Sequence, residues 1–94
     1  MLVEAHPRYD ENPPPAYPRL AEQRGWEGEV LLRVRIAASG KVLEAAIQAS
    51  SGYPILDRAA LTAVRSWRFE PGRRGGLAVE SQVLVPVKFQ LQRS

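Results

Sequence analysis

The 94-residue chain contains no cysteine and one histidine, His6. Without thiols there is no disulfide and no thiolate nucleophile. A lone histidine, set in a stretch with no helical or strand pattern, gives no basis for a Ser-His-Asp or Cys-His arrangement. It also leaves a structural zinc site without its usual ligands, so neither metal nor cofactor is expected. Phosphate-binding loops are missing too. Gly72-Arg73-Arg74-Gly75-Gly76 has neither the lysine nor the following helix that such a loop uses. No apolar run reaches the roughly 18 residues that span a bilayer, and no signal-peptide pattern opens the chain. Any membrane anchor is therefore expected upstream of Met1. The acidic residues Glu22, Glu27 and Glu29 read as a solvated corner between elements rather than as paired catalytic carboxylates. No catalytic residue is expected, and by elimination the function is binding through a surface or an edge.

What is present is one domain's worth of chain, with 13 Lys and Arg against 10 Asp and Glu. The net charge of +3 is scattered, which argues against a nucleic-acid surface. Pro7, Pro13, Pro14 and Pro15 crowd the start. Residues 1–16 read as the end of a proline-rich linker, and residues 17–94 as the folded domain. Pro18 suits the first position of a short helix to about residue 24, and Gly25 can end it in a left-handed conformation. From Glu29 to Ala37 the chain alternates, with Val30, Leu32, Val34 and Ile36 on one face. Ala38-Ser39-Gly40-Lys41 is a turn. A second strand from about Val42 to Ala49 would turn Leu43, Ala45, Ile47 and Ala49 to the core. Leu56, Ala60, Ala63, Val64 and Trp67 then fall on one helical stripe, with Asp57, Arg58, Thr62, Arg65 and Ser66 opposite. Asp57 near its start and Arg65 and Arg68 near its end suit the helix dipole. Arg73 to Gly76 reads as a flexible loop, and a last strand is expected from about Ala78 to Leu91.

The expected fold is α+β: a three-stranded antiparallel sheet with two helices on one face, in the order α-β-β-α-β. With the strands ordered second, first, third, the last strand is an edge. An edge offers unpaired N–H and C=O groups and invites a partner strand. The residues expected to bind it are Val79, Ser81, Gln82, Val83, Leu84, Val85, Pro86, Val87, Lys88 and Phe89. Pro86 either turns its donorless nitrogen to the free edge, the preferred reading, or ends the ladder at a bulge. A second copy of the chain could pair with the same edge.

Particular motifs resemble a known family. Tyr17-Pro18 opens a helix, Gly28-Glu29-Val30 opens a strand, and Ser39-Gly40-Lys41-Val42 stands where that family has a D-G-[RK]-V turn. The run Ala63-Val64-Arg65-Ser66-Trp67-Arg68-Phe69-Glu70-Pro71 resembles its signature A-[VL]-x-x-W-[RK]-[FY]-x-P. Val83-Leu84-Val85-Pro86-Val87-Lys88-Phe89 is similar to its ending. These are features of the TonB C-terminal domain family. Ser39 departs from the usual Asp, and the Pro13-Pro14-Pro15 tract departs from the more polar segment of relatives. Trp67, Arg68, Phe69, Glu70 and Pro71 are read as marks of the fold, with Trp67 and Phe69 as packing residues rather than a ligand site.

The resemblance implies a periplasmic domain tethered to the inner membrane. An ExbB–ExbD type motor would drive it through a missing anchor. Its partners would be outer-membrane receptors, gripped at their TonB box for siderophore, haem or cobalamin uptake, with Pro15, Tyr17 and Arg19 as auxiliary contacts. A TolA-like envelope adaptor is the alternative within this class. A nucleic-acid binder using Arg33, Arg35, Arg73 and Arg74 is the alternative outside it, weakened by the lack of exposed aromatics between the cations.

Overall fold

A computed structural model describes residues 2–8 and 11–92. In chain order the elements are β1 (Leu2–Val3), β2 (His6–Pro7), α1 (Arg19–Arg24), β3 (Gly28–Ile36), β4 (Val42–Ala49) and α2 (Pro54–Val64). They continue with β5 (Phe69–Glu70), β6 (Gly72–Arg74), β7 (Leu77–Val79) and β8 (Ser81–Phe89). The central sheet has the order β4-β3-β8, with both neighbours antiparallel to β3.

Period-two alternation decides which face of that sheet is dry. Val30, Leu32, Val34 and Ile36 of β3 and Val85, Val87 and Phe89 of β8 are buried in one cluster with Ala21 of α1 and Leu56, Ala60 and Val64 of α2. Both helices therefore cover the same face. Burying an aliphatic side chain of this size contributes roughly 1.5 to 3 kcal/mol, so this layer is the main source of stability. Arg33 and Arg35 lie on the open face.

Tyr17 packs edge-on against Phe89, ring centroids 5.4 Å apart, and its hydroxyl donates to the Trp26 carbonyl. Helix α1 ends in a Schellman arrangement: Gly25 N–H donates to Glu22 and Trp26 N–H to Ala21. Pro18 sits one residue earlier than expected, as the extended N-cap.

Several expectations need correction. Leu43 is exposed, and Val42 packs against the core in its place. The register slips at Arg35/Ile36 and at Leu31/Leu32, each time with an extra β4 residue, Leu43 and Gln48. Two bulges shift the alternation: Ala45 packs against the core, Ile47 pairs with the buried Leu32 yet is itself exposed, and Ala49 faces Leu31. Helix α2 stops at Val64, and Trp67 follows in a turn with its N–H on the Val64 carbonyl. Arg65 is the C-cap, at the negative end of the helix dipole, whereas Arg68 lies beyond the helix. Asp57, placed on the polar face, is buried.

Arg73 to Gly76 is not a flexible loop. Residues 72–74 and 77–79 form a hairpin, with Gly75 and Gly76 both at positive φ as a two-residue turn demands. The last strand is accordingly two strands, separated at Glu80.

The N-terminal stretch departs most from a detached linker. β1 pairs with β6, β2 pairs with β5, and Ala5 and Pro7 are buried. Its partners lie more than 60 positions away in sequence, so where it docks cannot be read from neighbouring residues.

Candidate functional site

Strand β8 is the outer strand of the central sheet on the side away from β4. Its nine pairs with β3 run without a shift from Gly28↔Phe89 to Ile36↔Ser81 and pass straight through Leu31↔Pro86. In an antiparallel ladder, alternate residues exchange hydrogen bonds with the neighbour and the others point away. Proline has no N–H, so an unbroken ladder through Pro86 requires it to be an outward residue. Gln82, Leu84, Pro86 and Lys88 then turn their backbone groups to the free edge. Ser81, Val83, Val85, Val87 and Phe89 bond to β3. The bulge alternative for Pro86 does not hold, since the register is regular there.

The expected edge residues thus divide. Leu84, 56% exposed, stands with Gln82, Pro86 and Lys88 on the open face and turns its backbone to the free side. Val85, Val87 and Phe89 have buried side chains and serve as the hydrophobic backing of the strand. Val79 does not belong to this edge: it lies in β7 and pairs with Gly72. At the head of the strand the Ser81 hydroxyl accepts from Gly72 N–H at 3.1 Å and donates to the Val79 carbonyl at 3.0 Å. Beside it Arg35 Nη1 meets Glu80 Oε1 at 2.6 Å.

Trp67 to Pro71 form a hub rather than a site. Phe69 is fully buried, and its N–H donates to the Gly40 carbonyl at 3.0 Å. Gly40 has φ 91°, and a Cβ there would lie 2.3 Å from the Phe69 carbonyl oxygen, so the hairpin turn can close on this run only with glycine. On its other side Phe69–Glu70 pairs with His6–Pro7. Asn12 clasps Arg68 twice, donating from Nδ2 to its carbonyl at 2.9 Å and accepting its N–H at 2.7 Å. Trp67 is 7% exposed, and its indole N–H donates to the Pro13 carbonyl at 2.8 Å. Arg68 stays exposed, Glu70 is half-buried beside Arg8, and Pro71 is buried.

Of the auxiliary residues, Pro15 reaches the site. It lines a groove with Asn12, Pro14, Trp67, Pro86, Val87 and Lys88. Tyr17 supports the end of β8 from the core side through Phe89. Arg19 is exposed at the start of α1. A second groove runs between residues 2–5 and the stretch from Val79 to Leu84. Sequence reasoning missed that the N-terminal stretch walls this edge. Two signals were available: the small apolar alternation Val3, Ala5, Pro7, and a buried indole N–H that needs an acceptor.

Among the described residues Asp57 is the buried charged side chain. Burial pushes its carboxyl up. The Ser50 hydroxyl, the Ser51 N–H and the Ser51 hydroxyl, at 2.5, 2.9 and 2.8 Å, outweigh that and hold it below the ordinary carboxylate value. It clamps the chain leaving β4 and lies away from the β8 edge.

The family described as Gram-negative bacterial TonB protein C-terminal matches residues 13–91. The chain is 51% identical over 87 residues to protein tonB2 of Pseudomonas aeruginosa, covering 93% of this chain and 32% of that protein. Protein TonB of Vibrio cholerae is 36% identical over 78 residues, covering 83% of this chain and 32% of that protein. The chain thus spans about a third of the length of these relatives. The solution structure of the Pseudomonas aeruginosa TonB CTD superposes with a TM-score of 0.76 at 32% identity, over 97% of this chain and 90% of that one. The Helicobacter pylori TonB-CTD (residues 194–285) gives 0.65 at 28% identity, over 85% and 84%.

Proposed function

The chain belongs to the Gram-negative bacterial TonB C-terminal family, and from that premise we propose that it grips outer-membrane transporters by adding one of their extended segments to β8. The observation that carries this reading is the outward row of backbone groups at Gln82, Leu84, Pro86 and Lys88 on a strand whose other side is fully paired. The receptor segment is the TonB box. It becomes a fourth strand, and the buried Val85, Val87 and Phe89 keep β8 straight beneath it.

About four to six new backbone hydrogen bonds would form, each contributing roughly 0.5 to 1.5 kcal/mol net. Ordering a flexible peptide opposes them. The bonds sum to about 2 to 9 kcal/mol before ordering is subtracted, so an affinity near micromolar for an isolated peptide, about −8 kcal/mol, needs side-chain contacts along the edge as well. Backbone pairing reads little side-chain identity, so one domain serves several receptors. Loaded along the strand, the bonds share tension. In the full-length protein the domain works in the periplasm, tethered to the inner membrane and driven by an ExbB–ExbD type motor. It transmits force for siderophore, haem or cobalamin uptake and performs no chemistry itself.

A backbone NMR titration with a synthetic receptor-derived TonB-box peptide tests this. Shift changes should concentrate in residues 81–89. Changes confined to residues 73–76, or none at millimolar peptide, would sink it.

A further inference from the structure

We propose that residues 2–8 and 11–15 form a strap across the free edge of β8, which an incoming strand must lift before it pairs. The inference rests on the strand-addition reading for its partner, but the strap itself is argued from contacts within the chain.

The strap is seated at several points. Leu2 and Val3 pair with Arg74 and Arg73. His6 and Pro7 pair with Glu70 and Phe69, and Ala5 is 7% exposed within the core cluster. Further on, Asn12 holds the Arg68 backbone at both ends, and Pro13 accepts the Trp67 indole N–H. None of these contacts is with β8, yet they place the segment beside it. A Cβ on Gly72 would fall 2.2 Å from Ser81 Oγ and 3.2 Å from the Val3 carbonyl oxygen, so β1 and the head of β8 converge on the same residue.

Both grooves along the free edge have this segment as their outer wall. Residues 2–5 face the stretch up to Leu84 across one, and Pro14 and Pro15 face Pro86 and Lys88 across the other. A strand lies about 4.8 Å from its neighbour along the hydrogen-bonding direction. A peptide bound at Leu84 and Lys88 would occupy the space that these walls enclose.

The seats at β1 and β2, like the Asn12 and Pro13 contacts, all lie outside the β4-β3-β8 sheet, so the strap can open without breaking that sheet. If it is open in about one molecule in ten, partner binding is weakened about tenfold relative to an unstrapped edge. The strap also shields an aggregation-prone edge between engagements.

The chain has no cysteine, which permits a clean test in the full chain. Val3→Cys with Arg73→Cys, and separately Leu2→Cys with Arg74→Cys, join Cα partners across β1 and β6. One of the two pairs has the closer, non-hydrogen-bonded spacing that suits a disulfide. Ala5→Lys places a charge in a buried position and releases the strap. A synthetic TonB-box peptide should bind the oxidised locked form at least tenfold more weakly than its reduced form. It should bind the Ala5→Lys form about three- to tenfold more tightly than the parent. Equal affinities overturn the proposal. Tighter binding to the locked form also overturns it, and makes the segment a second wall of the site.

Amide exchange without peptide separates the two readings, and it also serves if Ala5→Lys loosens the domain. Leu84 and Lys88 should exchange more slowly in the locked form than in its reduced state. Equal rates there refute the strap. Slower exchange with no peptide binding to any form leaves the strap standing and removes the partner assignment.

Discussion

The central sheet has two edges, and they are built differently. β4 carries two bulges in eight residues, at Leu43 and Gln48, so its outward backbone groups change phase twice. β8 matches β3 residue for residue over nine positions. A bulged edge is twisted and interrupted, which discourages a further strand. A regular edge is a template, and here Pro86 removes one outward donor from it. The apolar side chains Leu43 and Ile47 on β4 and Leu84 on β8 are similarly exposed. Backbone regularity, not hydrophobicity, distinguishes the strand proposed to accept a partner.

The largest effect should separate the side chains that back the two edges. Trp67 stands beneath the β8 side, buried and bonded to Pro13. Trp67→Ala should cost about 3 to 5 kcal/mol, a large share of what a small domain has. Ile47, 41% exposed on β4, should cost under about 1.5 kcal/mol on change to Ala. Urea denaturation of the two variants measures both. Similar losses would mean that the two edges are equally integrated with the core.

A smaller effect concerns the end of β4. The Asp57 carboxylate holds Ser50 and Ser51 where the chain leaves that strand. Its folded-state pKa lies below the unfolded one. The stability it contributes is thus present above the unfolded value of about 3.9 and is lost as pH falls through the lower folded value. Asp57→Asn should remove about 1 to 3 kcal/mol at neutral pH and flatten the acid limb of the stability curve. It should leave partner binding unchanged. A changed Kd would tie the two edges together and weaken the contrast. Chemical denaturation from pH 2 to 7 checks the first two expectations, and a peptide titration at pH 7 the third.

Much of this contrast is legible in the sequence, and the illegible part has a physical cause. Apolar residues at every second position from Val30 to Ile36 and from Val83 to Phe89 mark β3 and β8, because each has one dry face and one wet face, even though Leu31 and Leu84 fall on the wet one. Gly25 and Gly40 mark the ends of α1 and of the first hairpin. The bulges in β4 are not legible: Val42-Leu43 and Ile47-Gln48 are compatible with plain alternation, and only pairing with β3 selects the slip. Asp57 looks like a solvent-facing helix residue until Ser50 and Ser51 fold back onto it. The docking of residues 2–8 depends on Phe69 to Arg74, which have no pattern of their own. At the edge itself, Pro86 was the informative residue: its missing donor limits which way the strand can face. Alternation continues through Glu80, so nothing in the sequence separates Val79 from β8, although it pairs in β7.

The smallest expected effect is also the sharpest test of how the β8 edge is guarded. Pro86 faces the free side, so Pro86→Ala removes no bond to β3. Added freedom in the unfolded chain should lower stability by only about 0.4 to 1 kcal/mol. The substitution supplies an outward N–H between those of Leu84 and Lys88. One more backbone bond to a partner, at roughly 0.5 to 1.5 kcal/mol, should tighten peptide binding about two- to tenfold. It should also promote self-association, measurable by sedimentation. In the unsubstituted chain without partner, Leu84 and Lys88 should exchange their amide protons faster than Val83, Val85 and Val87. Peptide should slow the first pair alone. The matched control is Ile47→Ala on β4, which should alter neither binding nor association. If Pro86→Ala costs more than about 2 kcal/mol, Pro86 is a packing residue and not a guard. If it folds well but leaves both binding and association unchanged, partners do not pair along that stretch of β8.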